Sequence, residues 1–159
     1  MKKKKSVLLT FDYELFLSES GSPDLSLFQP TRRLISLFKK YQVKAVFFID
    51  ILCYYRMLEI EAEKDNREKF AAQVQELLIN GHSVELHLHP HWLDAVYKNG
   101  IWDLSDLSRY KLNSLSQKEV DELFDLTILL LRPILETSDK GLICQTAGRR
   151  LQLFSSTRC

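Results

Sequence analysis

Gly81-His82-Ser83-Val84-Glu85-Leu86-His87-Leu88-His89-Pro90-His91-Trp92 contains all four histidines of the chain. Three of them, His87, His89 and His91, fall at every second position. A β-strand sends residues i, i+2 and i+4 to one face. A straight strand would therefore gather Glu85, His87, His89 and His91 on one side, with Val84, Leu86 and Leu88 facing a core. Pro90 lacks the N–H that a ladder needs, so the strand is expected to end at about Leu88. A turn follows whose rim carries imidazoles. Neutral imidazole is the commonest protein metal ligand, and three histidines in five residues point to a metal or catalytic site. Spacing leaves the ligand pair open: His87 with His89 needs only the strand, whereas His87 with His91 needs the turn.

Outward from this stretch, apolar runs alternate with amphipathic ones. Just upstream, Asn80-Gly81 ends a helix by allowing a left-handed turn. That helix carries Phe70, Val74, Leu77 and Leu78 on one stripe, and Asp65 with Glu68 has the form of a capping box at its start. Ile51 to Ile60 is also expected to be helical. Val43 to Ile49 is apolar on both faces, as strands of parallel sheets covered by helices are, and Asp50 closes it. Before it, Pro30 suits a first helical turn. Leu34, Leu37, Phe38 and Tyr41 follow at helical spacing, with Lys39 and Lys40 where cations suit the helix dipole. Leu15 to Gln29 is rich in Ser, Gly and Pro and is read as a loop. Ser6 to Phe11 is expected to be the first buried strand, with Asp12-Tyr13-Glu14 at its end.

Downstream, Tyr97 to Asn113 is read as an aromatic and polar loop. Ser116 and Glu119 form a second capping box, opening a helix from about Gln117 to Glu136 whose last turns Pro133 should bend. Leu142 to Gln145 is a fourth short strand. Leu151 to Cys159 fits neither helix nor strand.

The resulting order, β-loop-α-β-α-α-β-loop-α-β, is an α/β pattern with right-handed crossovers and covering helices. In such folds the C-terminal ends of parallel strands share one rim, where ligands bind. Asp12 and Glu14, Asp50, and His87 to His91 each lie at such an end. Period two puts Asp12 and Glu14 on one side of the first strand and Tyr13 on the other. Two imidazoles and one carboxylate with open positions form a catalytic metal pattern. A carboxylate left unbound can take a proton, which is the chemistry of amide or ester hydrolysis.

Composition sets the remaining bounds. At 159 residues, 45% apolar and 27% charged, the chain fits one ordinary globular domain, residues 1–159. A net charge of +1 makes no electrostatic case for nucleic acid or membrane as partner. After Met1-Lys2-Lys3-Lys4-Lys5, the apolar run Val7-Leu8-Leu9 is broken by Asp12 and Glu14, too soon for a signal peptide. Cys53, Cys144 and Cys159 are odd in number and lack C-x-x-C spacing, so a reducing, cytoplasmic setting is expected.

Thr10-Phe11-Asp12-Tyr13-Glu14, Ala45-Val46-Phe47-Phe48, and Gly81-His82-Ser83 followed by His87 and His91 resemble, in order and separation, motifs of the polysaccharide deacetylases. These are the NodB-homology or carbohydrate esterase 4 proteins, whose motifs read T-F-D-D, A-T-F-F and G-H-E-x-x-x-H-x-x-x-H. The likeness covers roughly residues 6 to 92. The wording F-D-Y-E-L-F and H-L-H-P-H-W-L-D is also similar to a bacterial branch associated with surface-polysaccharide loci.

The resemblance implies a (β/α) barrel acting on N-acetylated sugars with a divalent metal, typically zinc. Asp12 matches the general base. Tyr13 stands where the family has its metal-binding Asp, and Glu14, on the same face as Asp12, is the candidate replacement. Asp12 itself is an alternative ligand. His87 and His91 match the two metal imidazoles, and His82 is structural. Asp50 and His89 are expected as neighbours bracing the ligands, and Trp92, Tyr97 or Trp102 as platforms for a carbohydrate ring. The family's later Arg motif and final His have no counterpart here. Residues 147–159 are accordingly expected to be a tail outside the native fold, and the chain a truncated or frame-shifted first part of the barrel. The alternatives are a metal-dependent amidohydrolase acting on a small non-sugar amide, and an inactive binding module. Oligomeric state is left open.

Overall fold

The computed structural model describes residues 6–15, 22–136, 143–146 and 149–152. Its centre is a parallel three-stranded sheet in the order β1-β2-β3, made of β1 (Thr10–Tyr13), β2 (Val46–Asp50) and β3 (Ser83–His87). Between β1 and β2 a helical turn, Asp24–Phe28, runs directly into α1 (Gln29–Tyr41), so the stretch read as a loop up to Gln29 is helical at its end and Pro30 follows helical residues. Two helices, α2 (Ile51–Leu58) and α3 (Lys64–Ile79), separate β2 from β3. The fold is mixed α/β, with no closed barrel among the described residues.

The first strand lies further along than expected. Val7 and Leu8 are exposed, and the β1–β2 ladder begins at Thr10 opposite Val46. The neighbour sets this start. α1 ends with Gln42 in the left-handed region at φ 54°, so its chain becomes extended only a few residues later. The shift places Asp12 inside the strand rather than after it.

Tyr13 anchors the end of β1. It is buried, meets the Phe70 ring edge-on at 5.1 Å, and donates its hydroxyl hydrogen bond to Gln73 Oε1 at 2.9 Å. Gln73 in turn donates to the Phe28 carbonyl at 3.0 Å. With Tyr13 turned into the core beneath α3, strand alternation sends Glu14 to the opposite side.

The ladder is in direct register: Tyr13 stands opposite Ile49 and Ile49 opposite Leu86, while Asp50 stands opposite His87. Gly81, at φ +78°, makes the expected left-handed exit from α3. His82 is structural: it is buried, its Nδ1 accepts from the Ala45 N–H at 3.2 Å, and its ring meets those of Phe38 and Phe47.

Of the two expected capping boxes one forms. Ser116 caps α4 (Gln117–Leu135), with both reciprocal bonds to Glu119 present and Pro133 inside the helix. At α3 a short 3-10 turn, Glu61–Glu63, runs directly into the helix. Asp65 is therefore already helical and cannot cap. The segment read as a loop from Tyr97 contains a hairpin, β4 (Val96–Lys98) with β5 (Ile101–Asp103). Its turn residues Asn99 and Gly100 have φ of 52° and 81°, the conformation that favours Asn-Gly in two-residue hairpins.

The fourth strand, β6 (Ile143–Thr146), does not extend the parallel sheet. It pairs antiparallel with β7 (Arg149–Gln152), so Leu151 and Gln152 are extended rather than irregular. The other residues of 147–159 lie outside the described ones.

Candidate metal centre

Three strand ends and one turn build the site. Glu14 follows β1 directly, Asp50 ends β2, and His87 ends β3. Leu88-His89 then leads into a 3-10 turn, Pro90–Asp94, with Pro90 in its first positions. Glu14 Oε2 lies 3.0 Å from His87 Nε2 and 2.6 Å from His89 Nε2. The two Nε2 atoms are 2.9 Å apart. One carboxylate oxygen and two imidazole nitrogens thus converge on one spot. All three side chains keep part of their surface in solvent.

Electrostatics follow from this geometry. Hydrogen bonds from His87 and then His89 hold the Glu14 carboxyl down at about 2. The Glu14 hydrogen bond raises His87, with Asp50 and Asp12 adding to it against the cost of burial. Two nitrogens and one oxygen form a donor set suited to a divalent ion, and Glu14, His87 and His89 can hold one. Tetrahedral bonds of 2.0–2.1 Å set ligand atoms about 3.3 Å apart, so a shared ion asks only for a slight opening of the triangle.

The structure departs from the expected ligand pair. His91 is not in the group; His89 takes its place. The 3-10 turn swings His91 inward, where it is 2% exposed, and neither ring nitrogen has a hydrogen-bond partner among the described residues. Burial first, and then the nearby His89, push its pKa down to about 4. Asp12 also stays outside the triad. It is exposed and acts on His87 only through its charge. Trp92, expected against a sugar ring, is fully buried and packs on Trp102 at 5.4 Å, so it offers no face to a ligand. Trp102 is held between Trp92 and Tyr97, with 4.9 Å to the Tyr97 ring.

Asp50 is fully buried. Burial raises its pKa to about 7, against the opposing influence of His89 and His87. Neither of its oxygens meets a hydrogen-bond donor in bonding geometry among the described residues. The Trp92 indole N–H lies near enough to favour the charged carboxylate but falls short of such a bond.

One residue of the site was not singled out from the sequence. Tyr110 stacks on His89, with centroids 5.2 Å apart and planes at 24°, and also borders His91. Arg109 braces it by pairing through two nitrogens with Asp94 at the end of the 3-10 turn, one contact being 2.7 Å. No spacing rule links residue 110 to residue 89; only the path of the loop does.

No protein-family model matches this chain, and neither a curated protein nor a solved structure does. Among the described residues no helix is long and apolar enough to cross a membrane.

Proposed function

We propose that this chain is a metal-dependent hydrolase that removes N-acetyl groups from a sugar or polysaccharide, on part of a (β/α) barrel of the polysaccharide deacetylase type. The observation that carries the reading is the convergence of Glu14 Oε2 with the Nε2 atoms of His87 and His89, none more than 3.0 Å from another. It lies at the C-terminal rim of parallel strands, where such folds place ligands. The resemblance of Thr10–Glu14, Ala45–Phe48 and Gly81–His91 to deacetylase motifs supports the same reading, with the second imidazole moved from His91 to His89.

Glu14, His87 and His89 would bind the ion, which we assign as zinc. A divalent ion there supplies Lewis acidity toward an amide carbonyl and toward a water. Both imidazoles would have to be neutral to hold it, so His87 would give up the proton that Glu14 favours there. Asp12, exposed and two residues before Glu14, would be the carboxylate that accepts a proton from water. Tyr110 keeps the His89 ring from turning away.

Zinc or cobalt titration into metal-free protein tests this, read by elemental analysis and by acetate release from N-acetylglucosamine oligomers. One equivalent of metal and released acetate are expected, both lost in His87→Ala. Absence of metal binding in the wild-type chain overturns the reading. Hydrolysis of small amides without acetate release from the oligomers moves the substrate to a non-sugar amide. Metal binding with no hydrolysis leaves a binding module.

A further inference from the structure

Asp50 stands in one row with two of the three converging residues. Asp50 is the register partner of His87, and Glu14 is the next residue after Tyr13, which pairs with Ile49. Side chains alternate along each strand. Tyr13, Ile49 and Leu86 share one face, so Glu14, Asp50 and His87 share the other. Neighbouring strands lie about 4.8 Å apart, and Asp50 occupies the middle strand. Glu14 reaches His87 across it, and Asp50, on that middle strand, is fully buried.

The ordinary role for an acid at this position is to cap the following helix. Asp50 is the N-cap residue of α2 but makes no side-chain cap bond. Its exposure is 0%, and both oxygens lack hydrogen-bond partners among the described residues. A buried carboxylate without donors is costly unless a cation compensates it. The groups that share its face are those of the site: His87 is its register partner, and Glu14 follows the residue paired with Ile49. Asp50 is not among the atoms lying within 4.8 Å of one another, which leaves it outside the ligand group. With neutral imidazoles, Glu14 as the single carboxylate ligand would leave a bound divalent ion with one positive charge, and Asp12 is exposed, so that solvent screens its charge, whereas Asp50 is buried. Glu14 and Asp50 together balance the ion.

We propose that Asp50 is the buried counter-charge of the metal site. It compensates the ion from the core side without ligating it, and it makes the metal-free fold less stable in return. This rests on the metal reading of Glu14, His87 and His89. The site is thereby tuned to divalent rather than monovalent cations, and filling it stabilises the fold by more than the ligand contacts alone.

The test compares the full-length wild-type chain with Asp50→Asn at about pH 8, where the carboxylate is ionised, by zinc calorimetry and by thermal melting with and without zinc. Loss of a supporting group typically weakens metal binding by about 10–100-fold, and a loss in that range is expected. Metal-free Asp50→Asn should melt above metal-free wild type and gain less from zinc. Wild-type zinc affinity together with an unchanged metal-free melt in the variant overturns the inference while leaving the triad intact. Failure of the wild-type chain to bind any divalent ion overturns both. If Asp50→Asn does not fold, Asp50→Leu, near in volume and free of polar atoms, is measured in its place with the same expected outcomes.

Discussion

Glu14 Oε2 lies 2.6 Å from His89 Nε2, a contact between residues 75 positions apart. It is tighter than the 3.0 Å contact of the same oxygen with His87. β1 and β3 are not neighbours; β2 lies between them. The contact therefore needs an acid beyond the end of one strand and an imidazole beyond the end of the other, both leaning over the central strand. His89 meets this condition because it follows the last residue of β3 by two and precedes the 3-10 turn.

That geometry separates the histidines by experiment. His89→Ala should reduce zinc affinity by more than the 10–100-fold that loss of a supporting partner costs. His91→Ala should keep zinc affinity within a few-fold and instead lose about 1–3 kcal/mol of stability, as truncation of a fully buried side chain does. Calorimetry and chemical denaturation on the two variants check this. The reverse pattern, metal lost with His91 and kept without His89, would mean that the turn reorganises on binding.

The two acids near the N-terminus should separate in the same way. Glu14→Gln removes the charged oxygen that both imidazoles share and should abolish zinc binding. Asp12→Asn, altered at an exposed side chain outside the triad, should keep the metal and lose turnover. Equal zinc affinity in Glu14→Gln and the wild type would remove Glu14 from the site.

Asp50 should leave a pH signature in the metal-free protein. Its folded pKa is raised from 3.8 to about 7, so the folded state holds the proton more tightly than the unfolded chain does. Its contribution to stability is fully present below about 3.8 and is lost as pH rises through about 7. At 1.36 kcal/mol per pKa unit the loss is on the order of 4 kcal/mol. Glu14 has the opposite sign: its carboxyl is held at about 2, so its contribution is present above the usual 4.5 and fades as pH falls toward 2. Urea denaturation of wild type and Asp50→Asn between about pH 4 and 8 should show a gap that widens in the variant's favour as pH rises. Parallel curves would mean that Asp50 keeps an ordinary pKa.

The Arg109–Asp94 pair should matter more for the loop than for global stability. Its side chains are 35% and 21% exposed, so Arg109→Ala should cost only about 1 kcal/mol. The larger effect should fall on Tyr110, which Arg109 precedes. Tyr fluorescence quenching or amide exchange of residues 105–111 should rise in the variant, with zinc affinity lowered a few-fold. An unchanged loop would show that Tyr110 is held by its stacking on His89 alone.

Local chemistry was legible wherever a feature depends on residues close in sequence. The Ser116–Glu119 capping box and the left-handed exit at Gly81 form as the sequence indicates, whereas the helical turn Asp24–Phe28 ahead of Pro30 lay in a stretch whose Ser, Gly and Pro suggested a loop. The Asn99-Gly100 turn carried an equally local signal, flanked by Tyr97 and Trp102, but it lay inside a stretch whose polarity suggested a loop. The Asp65–Glu68 pair had the right spacing and still did not cap, because the backbone was already turning at Glu61. A capping box requires an extended N-cap residue as well as the right side chains.

By itself the sequence determined that strand ends would carry an acid near residue 14 and imidazoles near residue 87, since period-two alternation and the limits of apolar runs are properties of the local chain. It could not decide between His89 and His91, nor between an open and a buried Trp92. Those choices depend on the path taken after β3: the Pro90 turn directs His91 and Trp92 into the core and leaves His89 over the rim. Nor could it show that Asp50 lies between Glu14 and His87. Adjacency across a parallel sheet is set by strand order and register, which arise when the helices between the strands pack, and no spacing along the chain encodes them.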